Sequence, residues 1–206
     1  FLPNYKNSRK KRRNFSKSKR PVLDNTFETL LAEKMEKSNH GQMTAEEYRY
    51  IANFLGDKNF LVFGTGHDTP LWKYANRNGK TLFLENNKRW IDPTDTNVIK
   101  VTYTTTRAYH KDLLEEWHNR NFSNLIMDLP DEVTQTKWDC IFVDSPKGTT
   151  DKNPGRMQSI FTAWSFSTDT TDVFVHDVDR VVEDVYSKTM FSNVVKDLTK
   201  LRHVCK

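Results

Sequence analysis

Acidic residues are missing from the start of this sequence, and cysteines and long apolar runs are scarce throughout it. No Asp or Glu occurs before Asp24, while residues 6–20 carry nine basic side chains: Lys6, Arg9, Lys10, Lys11, Arg12, Arg13, Lys17, Lys19 and Arg20. That one-signed charge, with few aliphatics around it, excludes a packed core for residues 1–22 and marks them as a basic arm, disordered by composition. The two cysteines, Cys140 within an apolar stretch and Cys205 beside the C-terminus, exclude a disulfide framework and read as reduced or buried. No stretch approaches the roughly 18 apolar residues of a membrane span, and no signal-peptide core follows the basic arm, so the given residues read as soluble. A chain that begins at Phe1 rather than Met reads as processed or truncated.

Residues 23–206 suit one domain of ordinary size with a real hydrophobic core. Of 32 Lys and Arg and 27 Asp and Glu in all, this body keeps 23 basic against 27 acidic, so its formal charge is −4. Phe27, Leu30, Leu31 and Met35 repeat at helical spacing through about Lys37, and Thr44 with Glu47 forms a capping-box pair ahead of Tyr48, Ile51, Ala52 and Leu55. Beyond Gly56, short apolar runs alternate with amphipathic segments, the rhythm of a parallel sheet covered by helices. Strands are predicted at 60–64, 81–85, 98–103, 138–144, 172–177 and 200–205. Helices are predicted around Tyr109 to Trp117, Met157 to Trp164 and Val182 to Met190, and no internal repeat is visible.

In an open α/β sheet the ligand lies beyond the carboxyl ends of the strands. The first strand exits through Gly64-Thr65-Gly66-His67-Asp68-Thr69, a turn whose glycines let backbone approach a ligand closely. A dinucleotide fingerprint would place Gly or Ala at position 69, so Thr69 counts against NAD or FAD. Glu85 ends the second strand, 19 residues after Gly66, where a carboxylate can accept hydrogen bonds from a ribose diol. The fourth strand exits through Asp144-Ser145-Pro146-Lys147-Gly148 and the fifth through His176-Asp177-Val178-Asp179-Arg180. A carboxylate at the end of a buried strand is costly unless paired or exposed in a cleft. Asp144 and Asp177 are therefore read as sharing a metal or positioning a hydroxyl, with Asp177 or Asp179 only pairing with Arg180 as the plain alternative. His176 reads equally as a core histidine. The polar loop 145–156 reads as a lid or substrate platform, with Lys147 and Arg156 able to grip a carboxylate.

These segments, in this order, resemble the plant glucuronoxylan 4-O-methyltransferase-like family of cell-wall polysaccharide methyltransferases. The likeness runs through Asn59 to Asp68, Thr81 to Glu85, Leu129 to Val133, Trp138 to Gly148, Pro154 to Met157 with Ile160-Phe161, and Val175 to Arg180. It covers roughly residues 44–206. It implies an α/β, Rossmann-like S-adenosylmethionine-dependent methyltransferase fold, with a mostly parallel central sheet and helices on both faces. It also implies S-adenosylmethionine as methyl donor, a hydroxyl on glucuronic acid of xylan as acceptor, a divalent metal ion as aid, and Golgi residence through an upstream anchor. This sequence departs at Thr65, where the family tends to Leu, and at Ser145, where Ala is usual. The stretch between the third and fourth strands is also short, which touches acceptor identity more than donor identity.

On this reading Gly64, Thr65, Gly66, His67, Asp68 and Glu85 hold the donor, and Lys147, Arg156 and Arg180 hold an acidic polysaccharide. Asp144, His176 or Asp177 takes the hydroxyl proton, or Asp144 and Asp177 bind a metal that acidifies the hydroxyl. Two other classes are expected to compete: a nucleic-acid methyltransferase using the basic arm, and a module that binds adenosyl ligands or glycans without turnover.

Overall fold

The computed structural model describes residues 23–37 and 42–206; the basic arm lies outside them. Five strands run parallel: β1 (Asn59–Phe63), β2 (Lys80–Glu85), β3 (Val98–Lys100), β4 (Cys140–Val143) and β5 (Asp172–His176). Two more, β6 (Asn193–Asp197) and β7 (Leu201–Cys205), add on antiparallel, giving the order β3-β2-β1-β4-β5-β7-β6. The sheet is mostly parallel with both faces covered, as expected.

The apolar runs are continuous because each strand feeds two cores. Leu61 and Phe63, Ile141 and Val143, and Val173 and Val175 face one cluster. Helices α4 (His110–His118), α6 (Met157–Phe166) and α7 (Val181–Met190) supply Leu113, Ile160 and Tyr186 to it. The alternate residues Phe60, Val62, Cys140, Phe142 and Phe174 face the other. There α1 (Asn25–Glu36), α2 (Ala45–Ala52) and α3 (Thr69–Ala75) supply Phe27, Leu31, Tyr48, Ile51 and Trp72. One further turn of helix, α5 (Asp131–Thr134), places Val133 under Trp138, whose indole N–H donates to the Val133 carbonyl at 3.0 Å.

Local signals explain where helices begin. The Asp24 carboxylate accepts the Thr26 and Phe27 N–H groups at the start of α1. The capping box of α2 is present in both directions, Thr44 Oγ1 accepting the Glu47 N–H and Glu47 Oε2 accepting the Thr44 N–H. The other oxygen of the fully buried Glu47 accepts the Lys200 N–H at 2.6 Å, tying α2 to the turn before β7.

The third strand is shorter than its apolar run, 98–100 rather than 98–103, because the chain leaves the sheet edge at Val101. The fourth begins at Cys140 rather than 138 and the fifth ends at His176. Strand β6 lacks an apolar signature because all five of its residues are exposed; its backbone ladder with β7 makes it a strand. Helix α3 has only seven residues, too few to show a repeat. Among the described residues no helix is long and apolar enough to cross a membrane.

Candidate active site

The strand order reverses between β1 and β4, and the chain leaves both strands into one crevice. A cavity of about 720 Å³ opens there, lined by the 64–68 loop, Glu85, Asp144 and Lys147 among others. Its shape begins with Gly64, at φ +112°, a region in which only glycine is at ease. A side chain at 64 would also lie 2.9 Å from Ser145 Cβ, so the glycine sets how closely the β1 and β4 exits approach. Gly66 closes the turn by donating its N–H to Thr69 Oγ1 at 2.9 Å. The residue that breaks the dinucleotide pattern is thus the one that fastens this loop.

Glu85 and the glycine loop meet directly. Glu85 Oε2 accepts the Thr65 N–H at 2.9 Å and Oε1 accepts the Asn87 N–H at 2.6 Å, and the residue lines the cavity. The Thr65 hydroxyl donates to the Trp90 carbonyl at 2.8 Å, so Thr65 braces the loop more than it offers a free donor. His67 stands exposed on the rim, edge-on to Trp90 with ring centroids 5.1 Å apart. Trp90 is 44% exposed and lines the same cavity. Asp68 lines the floor, its Oδ2 accepting the Trp72 indole N–H at 3.1 Å, and burial followed by the nearby Asp144 charge pushes its carboxyl up.

The other half of the crevice is an ion network centred on Arg156. Arg156 is 4% exposed; its Nη2 lies 2.6 Å from Asp177 Oδ2 and 3.1 Å from Asp144 Oδ1. Its Nη1 donates to the His176 carbonyl at 2.8 Å and its Nε to the Pro146 carbonyl at 3.3 Å. The expectation that Arg156 holds an acceptor carboxylate is therefore corrected: its donors are spent inside the protein, under the cavity. Glu183, on α7, lies 3.9 Å from Arg156 Nε, and burial pushes its carboxyl up. Asp177 adopts φ +62°, a left-handed backbone that Asp tolerates, and takes a second ion pair from Arg180 at 2.9 Å.

His176 Nδ1 sits 2.7 Å from Asp144 Oδ1. Burial raises the Asp144 carboxyl, but the charges of His176 and Arg156 outweigh it and hold the group at about 2. Burial lowers His176, and Asp144 reverses the sign, so its imidazolium is favoured above the ordinary histidine range. His176 and Asp177 are each 3% exposed, whereas the Asp144 side chain keeps 27% exposure and faces the cavity. Only Asp144 of the three can touch a ligand there.

Asp144, His176 and Asp177 place ligand atoms within 4.8 Å of one another, as a metal pair would require. The Arg156 guanidinium bridges the two carboxylates, and Asp144 Oδ1 also receives His176. With Asp144 Oδ1 and Asp177 Oδ2 both held by the Arg156 guanidinium, these two atoms do not fit a divalent ion while Arg156 stays in place.

Lys147 lies exposed at the cavity rim. The loop after it is pinned against the β3 exit: the Arg107 N–H donates to the Asn153 carbonyl at 2.8 Å, and Arg107 pairs with Asp151 at 2.6 Å. Across that seam lies a second groove of about 400 Å³, lined by Thr104, Thr106, Tyr109, Asp112, Glu116 and Asn124 among others, with no cation on its walls. Gln158, fully buried, builds its floor by accepting the Thr104 N–H at 2.9 Å and donating to Thr104 Oγ1 at 2.9 Å.

Sequence reasoning missed Trp90, Glu183 and Lys34. Trp90 had one signal, a lone large aromatic within a polar stretch. Lys34 had a sharper one, since it continues the stripe of Phe27 and Leu31 at i+7 and is 4% exposed.

Comparison with known proteins agrees with this geometry. The solved MycE methyltransferase, in complex with Mg, SAH and mycinamycin VI, superposes with a TM-score of 0.50 at 11% identity, over 87% of this chain and 54% of that one. The shared element is the fold, that of S-adenosylmethionine-dependent methyltransferases. Glucuronoxylan 4-O-methyltransferase 1 of Arabidopsis thaliana is 35% identical over 193 residues, 79% of this chain and 67% of the relative. Arabinogalactan O-methyltransferase 2 of the same plant is 33% identical, over 71% of this chain and 60% of the relative. Its Protein IRREGULAR XYLEM 15 is 40% identical over 151 residues, 61% of this chain and 47% of the relative. The chain thus spans between about half and two thirds of these relatives' length. The family model described as IRX15/IRX15L/GXM matches residues 46–204, from α2 to β7 and so across every strand exit of the crevice, and the chain belongs to that family.

Proposed function

We propose that this chain is an S-adenosylmethionine-dependent O-methyltransferase of glycans, whose acceptor is the 4-hydroxyl of a glucuronic acid side chain on xylan or a similar uronic-acid polysaccharide. The observation that carries the reading is one cavity in which the glycine loop braced by Glu85 faces the Asp144 carboxylate. Relatives named as glucuronoxylan and arabinogalactan O-methyltransferases support a glycan acceptor.

Bound in the cavity, the donor supplies a methyl group on a sulfonium. Glu85 Oε1 is placed for a ribose hydroxyl, and Trp90 offers an aromatic face at the rim. Asp144, held ionised, accepts a hydrogen bond from the acceptor hydroxyl and fixes the direction of its lone pair. A carboxylate held at about 2 is a weak base, yet it suffices, because an alcohol oxygen becomes strongly acidic only as it is alkylated. His176 and Arg156 keep Asp144 charged from beneath without entering the cavity. Lys147, at the rim, pairs with the uronate carboxylate. The uncharged and acidic wall around Tyr109 suits neutral sugars of the same polymer.

The test is methyl incorporation from labelled donor into glucuronoxylan, carboxyl-reduced xylan, arabinogalactan and RNA. Incorporation into glucuronoxylan, lost on carboxyl reduction, is expected. Incorporation into RNA alone, or into none, overturns the reading. The alternative outcome is a glycan- or adenosyl-binding module without turnover. Donor binding without any transfer would select it.

A further inference from the structure

Lys34 is a buried cation that the chemistry above leaves unused. It stands in the last turn of α1, outside the matched residues 46–204. Its Nζ passes over the Tyr48 ring at 5.3 Å from the centroid, and it lines the donor cavity together with Asp68 and Asp144. Burial lowers its pKa, and the charges of Asp68 and Asp144 oppose that shift. An ammonium is costly to bury unless charge of the opposite sign meets it. The other lysines of the cavity wall, Lys37 and Lys147, are exposed, so among the described residues Lys34 is the buried lysine of this wall, beside Asp68 and Asp144.

A methionyl group carries the complement of Lys34 and Asp68, a carboxylate and an ammonium on one carbon. We infer that Lys34 forms the subsite for the carboxylate of the methyl donor's amino-acid end, with Asp68 beside it for the ammonium. The inference rests on the adenosyl reading of the cavity and extends it to a helix beyond the family match. Lys34 would then anchor the donor end farthest from the ribose-binding Glu85. The competing role is structural: Lys34 only neutralises Asp68 and Asp144.

Two nucleosides separate these roles by calorimetry. S-adenosylhomocysteine carries the amino-acid end, and 5′-methylthioadenosine lacks it. Lys34→Met keeps the apolar stem against Tyr48 and removes the charge; Lys34→Arg keeps the charge. Lys34→Met is expected to weaken S-adenosylhomocysteine about 10- to 100-fold, the range of a hydrogen bond between charged groups, and to leave 5′-methylthioadenosine within about twofold. Lys34→Arg should recover part of the loss, and thermal unfolding checks that each variant is folded. Equal loss for both nucleosides, or no loss for either, overturns the inference while the adenosyl reading stands. Wild-type protein that binds neither nucleoside overturns both. If Lys34→Met does not fold, decarboxylated S-adenosylhomocysteine on the wild type decides: affinity equal to that of the parent compound overturns the inference.

Discussion

The two halves of the crevice are built on opposite plans. Where β1 and β2 exit, the site is backbone and shape: Gly64 and Gly66 keep side chains out, Thr65 and Asn87 donate their N–H groups to Glu85, and ligand groups would complete the bonding. Where β4 and β5 exit, the site is charge: Arg156 is enclosed by Asp144, Asp177 and Glu183, and its five donors point into the protein. The first half offers backbone and a braced carboxylate to the cavity. The second is cross-linked by ion pairs and exposes a single carboxylate, although His176 Nε2 and Glu183 Oε1 find no hydrogen-bond partner among the described residues. A methyl donor needs a fitted cradle, whereas the acceptor oxygen needs a charge whose position and ionisation do not relax, so the difference follows the chemistry.

The comparison breaks most visibly at Arg156. Arg156→Met leaves Asp144, Asp177 and Glu183 facing each other with much of the opposing charge gone, and breaking such a buried cluster costs about 3–5 kcal/mol. Urea unfolding should register that loss, with activity abolished; a variant of wild-type stability would show that the network is not what holds this half together. Lys at 156 should recover only part, because an ammonium cannot span Asp144, Asp177 and two carbonyls in one plane.

Next is Asp144→Asn, which keeps the shape and removes the charge. Methyl transfer should fall about 10²- to 10⁴-fold in kcat, with 5′-methylthioadenosine binding near wild type. The same substitution sharpens the electrostatics. Asp144 is held below its ordinary 3.8, so its stabilisation is present above that pH and is lost as pH falls toward about 2. His176 is held above its ordinary 6.5, so its share is present below 6.5 and is lost as pH rises through its folded value. The pair is at full strength between roughly pH 4 and 6.5. Stability against pH should show both flanks in the wild type and lose both in Asp144→Asn; an unchanged profile would detach the pair from the fold's stability.

On the donor side, Glu85→Gln is expected to weaken S-adenosylhomocysteine about tenfold or more, since one hydrogen bond to a charged acceptor becomes a bond to a neutral one. The amide can accept the Thr65 N–H or the Asn87 N–H but not both, so thermal unfolding is read beside the calorimetry; unchanged affinity would separate Glu85 from the ligand.

The donor half was the more legible one, for a reason in the chain itself. Gly64, Gly66 and Glu85 meet where they stand, at the ends of their own strands, so spacing along the sequence reports their juxtaposition. The catalytic half is made of pairings between distant segments. Sequence showed that Asp144, His176 and Asp177 stand at strand ends, but Arg156 reads as a loop residue gripping a substrate carboxylate until α6 carries its guanidinium back beneath β4 and β5. Glu183 sits in the first turn of α7 and looks solvated on a pattern, although it is 1% exposed. The fold itself was legible wherever a strand buries both faces, as in β1, β4 and β5. It was illegible in β6, whose residues are all exposed and which is defined by its backbone ladder to β7.

The smallest effect tests the polymer and not the reaction. Tyr109 is 61% exposed at the mouth of the groove beyond the β3 exit, with Asp112 and Glu116 one and two helical turns along the same wall. An exposed ring next to carboxylate and amide acceptors matches a sugar, which offers an apolar face and a rim of hydroxyls. Asn124 already donates to both Glu116 oxygens at 3.0 Å, so that wall is preset before any ligand arrives. Tyr109→Ala should therefore lower kcat/KM for long glucuronoxylan about three- to tenfold, roughly the 1 kcal/mol of one aromatic contact. It should leave a short acceptor, unable to reach the groove, and S-adenosylhomocysteine affinity unchanged, and Tyr109→Phe should behave as wild type. Equal losses on long and short acceptors would mean that Tyr109 shapes the cavity through the 145–156 loop and takes no part in holding the chain.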